Sequence, residues 1–108
     1  MTSDELMTGL PGEQLVRQGV SDLVAGRRTV AAMLVSVAGA RLARSGIWPD
    51  TIAAASDEPE VELYRMLRRE RGDAYARYNS LIRELVSFEQ ALDRRLRGER
   101  TARSDARI

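Results

Sequence analysis

Two pairs of acidic residues have a spacing that could hold a divalent metal ion. Asp57 and Glu60 form one pair, and Glu70 and Asp73 form the other, and the members of each pair are three positions apart. Side chains three positions apart lie on the same face of an α-helix, so their carboxylates would converge. Carboxylate oxygens are ligands that Mg²⁺ accepts, usually together with substrate phosphates. The pairs fall at opposite ends of one predicted helix, which separates them by roughly 15 Å or more.

This spacing resembles that of the all-α nucleotide pyrophosphatases of the MazG type, which carry two acidic pairs on adjacent helices. The resemblance implies a magnesium site. Pro59 lies inside the first pair of this sequence and Gly72 inside the second, so both pairs straddle a helix end. Acidic residues at such ends are typical of helix caps and of contacts with the helix dipole. We therefore expect caps here and no bound metal.

A third polar cluster, Ala76–Ser80, lies on the last predicted helix. Its Arg77 is similar to the arginine of helical RNases of the HEPN type, in which a His follows a few residues later. This chain contains no His, so it departs from that family at the residue that performs the chemistry. We expect Tyr78 to face the core, because aromatic residues at helical spacing usually belong there. Arg77 and Asn79 are expected to be exposed or to bind a partner.

The composition excludes most other catalytic machinery. All 17 basic residues are Arg, and the 108 residues include no Lys, His or Cys. The chain therefore has no Cys or His nucleophile–base pair, no Schiff-base lysine and no His or Cys ligand for a metal. We expect a protein that is not an enzyme and that binds no cofactor.

The elements that must position these residues are all predicted to be helices. Ala, Leu, Arg and Glu favour helices, and aromatic residues make up only 5% of the chain. Apolar residues recur at helical spacing in four stretches: 13–25, 29–45, 59–71 and 74–97. We predict an all-α fold, a compact antiparallel bundle of about four helices whose last member, about 74–97, is long. A single domain over 1–98, with 1–10 as a lead-in, would precede a flexible Arg-rich tail over 99–108.

The second stretch is the most apolar, and Thr29 is expected to cap its start. Its many small residues allow two interpretations: close packing within the chain, or a seam where two copies meet. Trp48 is expected to fill the core where the chain then turns. In the third stretch we expect Val61, Tyr64 and Leu67 to face inward, with Leu63 beside them.

The apolar helix faces exceed what one small bundle needs. We therefore predict a non-catalytic interaction protein, either a self-associating chain such as a homodimer or the small partner in a protein complex, for example an adaptor or an antitoxin-like regulator. The N-terminal residues lack a basic signal-peptide region, and no apolar run is long enough to cross a bilayer. We predict a soluble, cytoplasmic protein with no membrane partner. The predicted interface consists of Tyr75, Tyr78, Leu85, Phe88 and Leu92.

The Arg-rich C-terminal region supports an alternative. Six Arg and two acidic residues between positions 94 and 107 give a local charge of +4. Such a cluster could contact phosphates in a nucleic-acid-binding regulator. A solvated helix end with favourable dipole charges is the simpler interpretation. The residues of the alternative site are Arg94, Arg95, Arg97, Arg100 and Arg103.

Overall fold

A computed structural model describes residues 3–39, 42 and 58–106 of the chain. These residues form five helices and no strand, which confirms the all-α prediction. The helices are α1 (Ser3–Met7), α2 (Glu13–Val24), α3 (Val30–Val37), α4 (Pro59–Arg68) and α5 (Ala74–Ala106). Helices α2 to α5 form the predicted bundle, and α1 is a short addition within the lead-in. The predictions for Trp48 and for most of 40–57 lie outside the described residues.

Helix α3 lies at the centre of the bundle and contacts α2, α4 and α5. Six consecutive residues, 31–36, are buried, as expected for a helix that is apolar on nearly every side. Its first turn is capped as the sequence predicts, because the Thr29 hydroxyl accepts a hydrogen bond from the backbone N–H of Ala32 at 3.1 Å. Within the described part of this segment, the apolar face is therefore used for packing inside the chain.

Helices α2 and α3 approach each other most closely at Gly19. A Cβ atom at this position would lie 2.3 Å from Cγ2 of Val35 and 2.4 Å from the carbonyl oxygen of Ala31. Glycine in a helix interior costs about 1 kcal/mol relative to alanine, but no larger residue fits this contact. Close packing by small residues is thus an intramolecular feature of α2 and α3.

The α4–α5 connection follows the predicted chemistry of helix ends. Pro59 occupies the first turn of α4, and Gly72 follows that helix with φ of 108°. The Asp73 carboxylate accepts a hydrogen bond from the N–H of Ala76 at 3.1 Å, so Asp73 caps α5 as predicted. Residues 56 and 57, the predicted caps of α4, lie outside the described residues.

The predicted inward face of α4 is wrong in part. Leu63 and Leu67 are buried, whereas Val61 is 43% exposed and Tyr64 is half-buried. Leu63 and Leu67 are four positions apart and form one stripe. Val61 lies about 200° from Leu63 around the helix. Burying the leucine stripe against α3 therefore turns Val61 outward.

Helix α5 is longer than the sequence predicts. It has 33 residues, or about 50 Å of length, and it continues through Gly98 to Ala106. The predicted end near Arg97 is therefore wrong. One glycine weakens a helix by about 1 kcal/mol, but an established helix gains a hydrogen bond with each further residue. The flexibility expected for 99–108 stays a prediction.

The described part of the lead-in, residues 3–10, packs in the core and is hydrogen-bonded to α5. Leu6, Met7 and Leu10 are buried in the core. Arg95 of α5 donates hydrogen bonds to the backbone oxygens of Leu6 and Thr8, at 3.0 and 2.6 Å. Cationic side chains are favourable partners for carbonyl groups at a helix C-terminus. Arg95 thus holds the end of α1 against α5.

Candidate functional site

An open groove of about 470 Å³ lies between α4 and the first turns of α5. It exists because α4 buries its leucine stripe and turns the opposite flank toward solvent, while the short connection over 69–73 brings α5 back beside it. Helix α4 lines the groove with Val61, Tyr64, Arg65 and Arg68, and α5 lines it with Tyr75 and Tyr78.

Two tyrosines of the groove, Tyr64 and Tyr78, pack against each other, and a third, Tyr75, is exposed at its rim. The rings of Tyr64 and Tyr78 meet edge to face, with centroids 5.8 Å apart and an angle of 80° between their planes. Aromatic pairs favour this geometry, and Tyr78 also packs against the core as the sequence predicts. Tyr75 is 67% exposed at the rim, close to the exposed Val61. Tyr75 and Val61 are thus two exposed apolar side chains that line the same groove.

The charged residues of the groove are not used by the bundle itself. Arg65 and Arg68 form no ion pair or hydrogen bond with any residue that the structure describes, and the same holds for Glu60 at the other end. By contrast, the nearby Arg77 pairs with Glu70. The groove therefore combines exposed aromatic surface with guanidinium and carboxylate groups that are available to a partner.

Three of the five predicted interface residues are core residues of the bundle. Leu85, Phe88 and Leu92 are 1%, 0% and 3% exposed, so they pack inside this chain, and their part in an interface stays a prediction. Their heptad-like spacing identifies a buried helix face, and the same spacing arises whether the covering helix belongs to this chain or to another. Tyr75 and Tyr78 remain candidates, because both line the groove.

The predicted nucleic-acid residues differ in their surroundings within the described part of the chain. Arg95 donates hydrogen bonds to the carbonyl groups at the end of α1, and its contact with phosphates stays a prediction. Arg97 pairs with Asp93 at 2.7 Å, and Arg94 is exposed. The side chains of Arg100 and Arg103 lie outside the described residues.

The described members of the two acidic pairs serve different purposes. Asp73 caps α5 and Glu70 pairs with Arg77, while Glu60 borders the groove and Asp57 lies outside the described residues. Across residues 3–39, 42 and 58–106, no three Asp, Glu, His or Cys side chains converge in a way that could hold a metal ion.

Sequence reasoning missed the buried carboxylate of Asp22, which is 3% exposed. It accepts hydrogen bonds from the Thr29 hydroxyl at 2.6 Å, from Nε of Arg27 at 2.9 Å and from Nε2 of Gln18 at 2.8 Å. The bond from Thr29, together with those from Arg27 and Gln18, lowers the pKa of Asp22 against the opposing effect of burial. With all its donors internal, Asp22 joins α2 to α3 and is structural. The sequence feature that could have indicated this cluster is the placement of Asp22 and Thr29 on either side of the turn at Gly26.

We expect Asp22→Asn to destabilise the fold near neutral pH, and the deficit to shrink as the pH falls. The folded pKa of Asp22 lies below its ordinary value of 3.8. The charged carboxylate therefore contributes stability that is complete above the unfolded pKa and is lost as the pH falls through the folded one. Urea unfolding of both proteins at about pH 7 and about pH 2.5 measures this difference.

Asp93→Asn is the matched control, because Asp93 is half-exposed and has one ion-pair partner, Arg97. Exposed pairs of this kind contribute little to stability, so this variant should unfold close to the wild type at both pH values. A deficit of Asp22→Asn that is the same at both pH values would contradict a role for the charge.

Comparison with known proteins finds no match for this chain. No protein-family model matches the chain, and neither a curated protein nor a solved structure matches it. Within the described residues, none of the helices is both long and apolar enough to cross a membrane. The groove must therefore be interpreted from its own chemistry.

Proposed function

We propose that this protein is a non-catalytic helical interaction module that binds a protein chain through the groove between α4 and α5. The supporting observation is that exposed Tyr75 and Val61 lie beside two arginines that no described residue pairs. Tyr and Arg are enriched among the residues that contribute most to protein binding. They combine a large contact surface with directed polar groups, and the two χ angles of Tyr limit the entropy lost on binding.

The groove is favoured over the other exposed apolar side chains because its members are adjacent. Val24 and Val86 are also exposed, but neither lines the groove. Apolar side chains that are exposed singly are ordinary on protein surfaces. The groove joins two of them, Val61 and Tyr75, to charges that no described residue pairs.

The module would act as an adaptor or an antitoxin-like regulator, either as an oligomer of itself or as the small partner in a complex. We place it in the cytoplasm. The absence of Cys among its 108 residues agrees with a reducing compartment.

A photo-crosslinking amino acid placed at Tyr75 tests this proposal. We expect p-benzoylphenylalanine at Tyr75 to form adducts with a protein on irradiation in cells, because the position is 67% exposed at the rim of the groove. The same amino acid at Arg94, which is exposed on α5 away from the groove, is the matched control. Adduct yields at Tyr75 that do not exceed those at Arg94 would contradict the proposal.

We keep the nucleic-acid-binding regulator as the alternative function. Its support is the extension of α5 to Ala106, which places the backbone of all five predicted arginines on one continuous helix. If this site is used, Arg94→Ala weakens binding to a DNA duplex and reduces its salt dependence. Groove variants such as Tyr75→Ala would leave the same binding unchanged.

A further inference from the structure

We propose that the groove binds a second copy of this chain, with α4 of one copy crossing α4 of the other in the opposite direction. This inference rests on the proposed function, because it names the partner of the same groove. The observation behind it is the placement of Glu60 and Arg68 at opposite ends of the α4 side of the groove. Neither has an ion-pair partner among the described residues.

The charges of α4 are complementary to themselves after a twofold rotation. Glu60 and Arg68 are eight positions apart, which is about 12 Å along the helix axis, and Tyr64 lies midway between them. In a twofold dimer, the same surface of each copy meets its own image. A crossing centred on Tyr64 therefore places Glu60 against Arg68 of the partner subunit at both ends of the contact.

The apolar residues lie between these two charges. Tyr64 lies at the centre of the α4 side, and Val61 lies toward its Glu60 end, so the crossing covers side chains that a lone bundle leaves partly in water. Arg65 also lines the groove, but it lies about 100° around the helix from Tyr64, at the flank of the contact. From there its guanidinium would approach an aromatic ring of the partner subunit, an arrangement that stabilises the cation. Each interface would thus have an apolar centre with charged pairs at its rim.

A second copy fits this charge pattern better than an acidic peptide does. A uniformly acidic segment would pair with Arg65 and Arg68 but would bring like charge to Glu60. The whole chain has a formal net charge of only +1, so two copies approach each other with little overall repulsion. The presence of both signs in one groove, separated along one helix, is the feature that favours self-association.

Charge exchange at the two positions tests the inference. We expect the wild type to form a dimer of twice its 12.0 kDa mass in sedimentation velocity and light scattering across a range of concentrations. Glu60→Arg and Arg68→Glu each bring like charges together at both ends of the contact. Each variant alone should therefore dimerise about tenfold more weakly or worse.

Mixing the two variants provides the decisive result. A heterodimer of Glu60→Arg with Arg68→Glu has opposite charges at both ends, so dimers should reappear on mixing with near wild-type affinity. Arg94→Glu changes an exposed arginine outside the groove and should dimerise like the wild type. Both groove positions are exposed, and circular dichroism of each variant checks that its helices are retained.

Two results would overturn the inference: a wild type that stays at 12.0 kDa at all concentrations, or a mixture of variants that associates no better than either alone. If Tyr75 then crosslinks to a different protein in cells, the interaction module stands and only its partner was misassigned. If Tyr75 also gives no adducts above the Arg94 control, the proposed function fails as well.

Discussion

Replacing Phe88 with alanine is expected to lower the free energy of unfolding by about 3–5 kcal/mol. Phe88 is 0% exposed and is among the largest fully buried side chains of the core. Its Cβ also lies near the start of α2, because a Cβ added to Gly12 would be 3.6 Å from it. Truncation would leave a cavity where α5 meets the rest of the bundle. A loss of this size is a large share of the roughly 5–15 kcal/mol that stabilises a typical domain.

Val86→Ala is the matched control for Phe88→Ala, since it lies two positions away on the same helix and is 42% exposed. Its effect should stay within about 0.5 kcal/mol. Urea unfolding followed by circular dichroism compares the two variants. If Phe88 faced a partner instead, Phe88→Ala would unfold at the wild-type midpoint when dilute and would only weaken association.

Gly19→Ala should destabilise the protein by about 1–3 kcal/mol. This reverses the usual result, because alanine in place of glycine in a helix interior ordinarily stabilises by about 0.5–1 kcal/mol. The reason is the contact with α3, where the added methyl would lie 2.3 Å from Cγ2 of Val35 and 2.4 Å from the Ala31 carbonyl oxygen. The backbone oxygen cannot turn aside, so α2 and α3 must separate.

Gly98→Ala is the control for Gly19→Ala, because it makes the same substitution in a helix at a position where no other described helix packs against the added Cβ. No atom lies within 4 Å of a Cβ added at Gly98 in α5. This variant should therefore be stabilised by about 0.5–1 kcal/mol. Thermal and urea unfolding of the two variants should shift in opposite directions. A shift of Gly19→Ala in the same direction as Gly98→Ala would mean that α2 and α3 are not in close contact at this point.

The features that sequence predicts well are local. Thr29 and Asp73 cap helices because each hydroxyl or carboxylate accepts from an N–H three residues later. Gly26, with φ of 75°, follows α2 directly after the predicted helical stretch 13–25. In each case the atoms involved lie within a few positions of one another, so the residue types alone determine the outcome.

The features that the sequence does not predict depend on which neighbouring helix a given helix face packs against. In α4, Val61 and Leu63 are both plausible inward residues, and only the position of α3 selects Leu63. Phe88 has a spacing that suits an interface and a core equally well, and the packing of this chain makes it core. Asp22 is polar and lies in an amphipathic helix, so its burial follows from donors brought together by the α2–α3 turn.

The attachment of α1 to α5 has a consequence for how the protein is made. Thr8 and Arg95 are 87 positions apart, and a ribosome adding about 5–20 residues per second needs roughly 4–17 s to cover that distance. During this interval Leu6 and Met7 have no α5 against which to bury their side chains. Helix α1 is thus the first of the five to be synthesised, yet it completes its contacts only when α5 emerges, and until then the nascent chain carries an uncovered apolar segment.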